Sequence, residues 1–349
     1  MKQVINQPIG PAPRSHTRPL WQWLIGLALS AGVVALAIHS REWLLEAMSL
    51  ARDAQPSWLL AALGVILASY VVSGQVLRIG MRSFGHRLGT LRAGATALVA
   101  ILISQSMPAG GVGGYAFLFS SLRRRGATAG EAALVASFEA MSYAIAMVLI
   151  ALFSLVYLTL YALGTGVAVA AIVLPLLLGL ATLAAIVVAA AVLTRRTAAL
   201  PRRLQGLHDR LARLRGRPCD PAWGQDLAAR IAGARALLAE HRYTLARLVG
   251  VQLIALCGHS LAMLLILLSL GVHASFAVVL AAFGAALVTS LLNVLPGGGG
   301  TIETILAAVL GFLAVGPAAV PAAIIFRLLN FWLLLPPAAL GYAWLMRRR

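Results

Sequence analysis

Lysine is almost missing from this chain. Lys2 is the only one, and the remaining basic residues among the 28 Lys and Arg are all arginine. Acids are scarce too, at ten Asp and Glu in 349 residues, and charged residues of all kinds make up only 11%. That proportion cannot cover the surface of a soluble domain of this size. There are two cysteines, Cys219 and Cys257, in unlike settings, which excludes a disulfide framework and a cysteine metal site. No Gly-x-Ser-x-Gly elbow, His-Glu-x-x-His pair or Walker loop occurs, and Gly297–Gly300 lacks the lysine of a phosphate loop. The expectation is a protein without metal or cofactor, and not an enzyme.

What is present is apolar. Hydrophobic residues make up 61%, and the mean hydropathy is +0.91. Several runs exceed the roughly 18 residues that mark a membrane-spanning helix. Only helices and closed barrels satisfy their backbone groups in lipid, and runs this rich in leucine and alanine are helices. The fold class is therefore an all-α polytopic membrane protein. Six full spans are expected: Trp21–Ile38, Ser57–Leu77, Ala129–Leu163, Val167–Leu193, Arg247–Leu270 and Pro317–Met346. The first is read as a retained span, because no small-residue cleavage site follows it.

Two further apolar segments, Ala93–Leu122 and Ser275–Leu313, are broken by proline and glycine. The first contains Pro108, Gly110, Gly111, Gly113 and Gly114. The second contains Pro296 and Gly297, Gly298, Gly299 and Gly300.

A net charge of +18 suggests nucleic acid only until its placement is considered. Arginine in short loops orients membrane proteins, with the basic loops inside. Arg78, Arg82, Arg87 and Arg92 share one loop, Arg123, Arg124 and Arg125 another. The 194–243 segment and the C-terminus, Arg347–Arg349, are also arginine-rich. The turns near Gly164 and Val272 carry no Lys or Arg. All of this holds together only if each broken segment returns to the side it entered. The charge pattern thus predicts two re-entrant hairpins of opposite orientation, both termini cytoplasmic, and a cell inner membrane location. Within 194–243, leucine and isoleucine recur at helical spacing, as expected of amphipathic helices at the membrane surface or of a solvated linker.

The broken segments align on their prolines, as a repeat of about 57–163 and one of about 247–346 in a single transmembrane domain. Seven residues past each proline stand Tyr115 and Glu303, and thirty-one past each stand Glu139 and Arg327. Ten residues into its helix, Glu139 lies about 15 Å deep, as does Arg327, entering from the other side. Both charges thus fall near the midplane of a core about 30 Å thick. Broken helices in inverted repeats that meet there mark transporters. Glu139 and Arg327 are expected to share one polar cavity and to pair when it is empty, since isolated charges in lipid are costly. Tyr143 and Asn330 share their polar faces. With Tyr115, Glu303 and the hairpin glycines, these are the candidate substrate-binding residues.

Other polar residues read as structural. Thr128-Ala-Gly-Glu131 fits a capping box at a helix start. Arg123–Arg125 reads as a topology anchor, with a lipid phosphate as its possible ligand. His259 and Ser260 read as packing.

At these residues the chain resembles the lysylphosphatidylglycerol synthase transmembrane-domain family, the flippase-like integral membrane proteins. The carrying stretches are Pro108-Ala-Gly-Gly-Val-Gly-Gly, Leu122-Arg-Arg-Arg-Gly126, Glu139, Asn293-Val-Leu-Pro-Gly-Gly-Gly-Gly-Thr-Ile-Glu303 and Arg327-Leu-Leu-Asn-Phe-Trp332. The resemblance covers nearly the whole chain. It implies two re-entrant hairpins and movement of a lipid headgroup between leaflets. Two positions depart from the family pattern. Gly114-Tyr-Ala-Phe stands where an acid and an arginine usually follow, and Ala140 stands where arginine follows the helix glutamate. The chain carries no hydrophilic stretch long enough for a synthase domain.

The expectation is a lipid translocase. Its partners would be membrane lipids with an anionic, zwitterionic or polyprenyl-phosphate-linked headgroup, and no nucleic acid. The alternatives are an intramembrane lipid-phosphate enzyme and a non-transporting partner of a glycosyltransferase.

Overall fold

The computed structural model describes residues 54–106, 112–165, 181, 242–289, 301–313 and 315–346. The expected spans Trp21–Ile38 and, apart from residue 181, Val167–Leu193, the 194–243 segment up to residue 241, and both hairpin tips lie outside the described residues. Every described element is helical.

Helix α1 (Pro56–Ser83) starts with proline at its first position, where the missing N–H costs nothing. Its buried residues Ala62, Ile66, Ser69, Tyr70, Ser73, Leu77 and Met81 fall on one face at helical spacing. It stops at Gly85, whose φ of 78° is the left-handed conformation that glycine adopts freely. The Gly85 N–H donates to Arg82 and the His86 N–H to Met81, the bonding of a Schellman end.

The chain then forms α2 (Thr90–Ser106), α3 (Val112–Arg123) and α4 (Ala129–Thr165). At the start of α4 the expected capping box is made. Thr128 N–H donates to Glu131 Oε2 at 2.7 Å, and Glu131 N–H donates to Thr128 Oγ1 at 3.3 Å.

The same order recurs in α5 (Arg242–Ser269), α6 (Phe276–Thr289), α7 (Thr301–Phe312) and a last helical stretch over Gly316–Met346. Helix α5 has a Schellman end like that of α1: Gly271 has a φ of 75°, its N–H donates to Leu268, and Val272 donates to Leu267. The last stretch is not uniform. It comprises α8 (Ala319–Arg327), a π-helical turn at Leu328–Trp332 and α9 (Leu335–Met346). Pro336 and Pro337 supply no N–H to the carbonyls of Trp332 and Leu333. The register gives way just upstream, where Leu333 donates to Leu328 five residues back. Turns of this kind concentrate at functional sites.

Four described helices are long and apolar enough to cross a membrane: Pro56–Ser83, Ala129–Thr165, Tyr243–Ser269 and Gly316–Met346. The short helices are not. At 1.5 Å per residue, α2 spans about 26 Å, α6 about 21 Å, and α3 and α7 about 18 Å, against a core of about 30 Å.

Helices α1 and α5 run antiparallel. Gln55 N–H donates to Ser269 O at 2.9 Å, Ser73 meets Gln252, and Val76 packs on Leu248. One cluster joins Leu77 and Met81 of α1, Ala93 of α2, Leu118 and Leu122 of α3, and Ala132 and Val135 of α4. The α2–α3 pair therefore begins and ends at the arginine-rich end of α1. At the opposite end, α6 follows the Gly271 turn, and Phe312 at the close of α7 meets Tyr161 late in α4, ring centroids 5.6 Å apart. The α6–α7 pair begins and ends there.

Small residues let these helices approach closely, as in membrane bundles generally. A Cβ on Gly74 of α1 would lie 2.5 Å from the Ala93 and Gly94 backbone of α2. One on Gly114 of α3 would fall on the Ala100 carbonyl and Ser104 of α2.

Candidate functional site

Several of the polar residues inside this apolar bundle, Arg327 and Glu303 among them, line a cavity of about 110 Å³. Its wall includes Tyr70 of α1, Gln105 of α2, Tyr143 of α4, Gln252 of α5, Glu303 of α7, and Arg327 and Asn330 of the last stretch. Both short pairs and all four long helices contribute.

Arg327 Nε donates to Glu303 Oε1 at 2.8 Å. Its Nη1 points to Gln105 Oε1 at 3.5 Å, and its guanidinium lies 4.3 Å from the centre of the Phe331 ring. Ion pair, hydrogen bond and cation–π contact together hold a charge that lipid would reject. This corrects the expected pairing of Arg327 with Glu139.

Glu139 instead has Tyr115, whose hydroxyl reaches its carboxyl, and the nearby Gln252 amide. Gln252 Nε2 makes no hydrogen bond of good geometry, while its Oε1 accepts from Ser73 Oγ at 3.3 Å. Glu139 stands one residue back from the cavity wall, beside Tyr143 and Gln252. The Tyr115–Glu139 and Glu303–Arg327 contacts each form within one half of the chain, whereas Arg327–Gln105 and Ser73–Gln252 join the halves. Tyr115 and Glu139 are 24 residues apart, as are Glu303 and Arg327. The cause is local: Tyr115 and Glu303 lie in the first turns of α3 and α7, and each short helix packs on the long helix that follows it.

Asn330 belongs to the π-helical turn. The Tyr70 hydroxyl donates to its Oδ1 at 3.1 Å and to its backbone carbonyl at 3.4 Å. His259 lies edge-on to Tyr70, with centroids 5.2 Å apart, and its Nδ1 is 2.9 Å from the Ala255 carbonyl. It also stacks on Phe283, in keeping with a packing role.

Gly113 and Gly114 lie in the first turn of α3, where Gly114 packs on α2 rather than lining the cavity. Gly110, Gly111 and Gly297–Gly300 lie outside the described residues. Near Arg123 and Arg124, both exposed, Arg125 is partly covered; burial, then the charge of Arg92, holds its guanidinium below its ordinary pKa.

Sequence reading missed Tyr70, Ser73, Gln105 and Gln252. A polar residue alone in an apolar span was their one available signal. Two buried polar atoms at the cavity, Glu303 Oε2 and Gln252 Nε2, have no protein hydrogen bond. Each such atom costs roughly 1–3 kcal/mol if left unsatisfied. The cavity thus presents two buried polar atoms without a protein partner beside the Arg327–Glu303 ion pair.

The family model described as the lysylphosphatidylglycerol synthase TM region matches residues 23–338. No curated protein matches the chain.

Proposed function

Because the chain belongs to the lysylphosphatidylglycerol synthase TM region family, a family of membrane proteins named for lipid chemistry, we propose that it is a lipid translocase. The observation that carries this reading is the cavity, where Arg327, Glu303, Gln252 and Tyr70 converge between two short helix pairs that enter from opposite ends.

In this reading α2–α3 and α6–α7 are re-entrant hairpins, related by an inverted repeat, whose proline–glycine tips turn inside the membrane. With Trp21–Ile38 and Val167–Leu193 they complete a fold of six spans. The headgroup's phosphate exchanges for Glu303 on Arg327, and Glu139 supplies a carboxylate for an ammonium or a proton. A cavity of 110 Å³ holds a few waters but falls below the roughly 300–1,000 Å³ of small-molecule sites. Passage therefore requires the two hairpins to part.

Lipid movement is measured with fluorescent phospholipids in vesicles containing the purified protein. Glu139→Gln preserves shape and removes the charge. It is expected to leave the melting temperature within a few degrees of the parent and to slow translocation at least about tenfold, the effect of losing one charge-assisted contact. Translocation at the parent rate would remove Glu139 from the mechanism. No protein-dependent movement for any phospholipid tested would sink the translocase reading itself.

Orientation has its own test. In this reading the arginine-rich 194–243 segment lies, with both termini, on the cytoplasmic side of the inner membrane, as basic loops do. Single cysteines there should react with an impermeant maleimide only after the cells are opened, whereas a cysteine at His273 should react in intact cells. The reverse pattern would invert the topology.

A further inference from the structure

A second cavity, of about 530 Å³, opens at the end of α1 and is lined by Arg78, Arg82, His86 and Arg87 around the Gly85 turn. The C-terminus of α1 favours cations, but several features exceed that. Among the described residues Glu131 is the acid nearest in the chain, and it is engaged by His86 at 3.1 Å and by the α4 cap. The other acids among the described residues are Glu303, in the wall of the interior cavity, and Glu139, just behind it. The three arginines thus converge with no described carboxylate among them. Arg78 is partly buried, and one terminal nitrogen donates to Gln75 Oε1 at 3.1 Å. Its Nε is shut off from solvent and has no hydrogen-bond partner.

Membrane orientation accounts for positive charge at this end. It asks only for charge, which exposed arginines supply, not for a shared hollow or a covered Nε. The fold does not need the arginines either. The Gly271 turn of α5 makes equivalent backbone bonds, and no arginine lies between Leu248 and Phe326.

We propose that Arg78, Arg82 and Arg87 form an anion site for a phosphate group, carried on a lipid headgroup or free in solution. Guanidinium groups match phosphate oxygens with paired hydrogen bonds, and the volume lies within the range of small-ligand sites. The site stands apart from the interior cavity, and its existence does not depend on translocation.

The full-length protein in neutral detergent is titrated with inorganic phosphate, with a short-chain phosphatidylglycerol, and with a short-chain diacylglycerol lacking phosphate. Thermal unfolding is followed, since a ligand of the folded state raises the melting temperature in a saturable way. A saturable rise is expected with phosphatidylglycerol and none with diacylglycerol. A rise with inorganic phosphate too identifies a phosphate-anion site; a rise with the lipid alone identifies a headgroup site. Arg78→Gln combined with Arg87→Gln should weaken the apparent affinity at least about tenfold, as expected for lost charge-assisted bonds. If that variant does not fold, exposed Arg82→Gln serves, with a smaller loss expected. Arg123→Gln removes one charge outside the cavity and should bind as the parent does. No saturable rise from either phosphate probe, or an equal loss in Arg123→Gln, overturns the proposal.

Discussion

Replacing Arg327 with methionine is expected to destabilise the protein by roughly 3–5 kcal/mol, because it leaves the Glu303 carboxylate buried without its partner. Glu303→Leu should cost a similar amount for the mirror reason, with Arg327 left facing Gln105 and Phe331. The double change removes both charges and should recover most of the loss, since an apolar pair of similar volume often replaces a buried ion pair without penalty. Function should separate from stability here. If Arg327 receives the headgroup phosphate, the double variant folds and still fails to move lipid. The measurements are thermal unfolding in detergent and phospholipid movement in vesicles. A double variant as unstable as either single would refute the pairing. Rescue of Arg327→Met by Glu139→Leu but not by Glu303→Leu would restore the partner that sequence symmetry had suggested. Lipid movement at the parent rate in the double variant would confine the pair to a structural role.

The second large effect belongs to Gly114. Any side chain there meets the Ala100 carbonyl and Ser104 on α2, so α2 and α3 can accept it only by separating. Gly114→Ala is expected to cost about 1–3 kcal/mol, the usual range for overpacking, and Gly114→Leu more, enough to deplete folded protein. Ser104→Ala should not rescue Gly114→Ala, since the backbone carbonyl remains. Gly64 of α1 is the control: nothing lies within 4 Å of a Cβ there. Gly64→Ala should be neutral or stabilise by roughly 0.5–1 kcal/mol through reduced chain entropy. Equal melting temperatures for Gly114→Leu and the parent would show that the two arms are not packed as described.

Much of the fold could be read in one dimension. Ala129–Thr165 begins at the residue that the capping box marks, and the long helices fall on the expected apolar runs. The short helices end or begin around the expected proline–glycine breaks. Those features depend on neighbours a few residues apart, through hydrogen bonds of one turn, missing N–H groups and apolar length. Position along each helix was equally legible, because a helix advances a fixed 1.5 Å per residue. Equal offsets from Pro108 and Pro296 singled out Tyr115 with Glu303, and Glu139 with Arg327, as matched positions.

Lateral neighbours were not legible, and the site depends on them. Depth cannot tell which way a side chain faces or which helix lies opposite. The choice of Glu303 over Glu139 for Arg327 follows from the rotation of α7 against α8, and the contact of Tyr115 with Glu139 from that of α3 against α4. Ser73 meets Gln252 only because α1 and α5 run antiparallel in one register. The π-helical turn at Leu328–Trp332 brings Asn330 to Tyr70, 260 residues away in the chain. By itself the sequence determined where the long apolar helices run and how far along each one the polar residues fall, since that depends on distance along the chain. Tertiary structure alone decided which of them touch, since that depends on how each helix is rotated and crossed against the next.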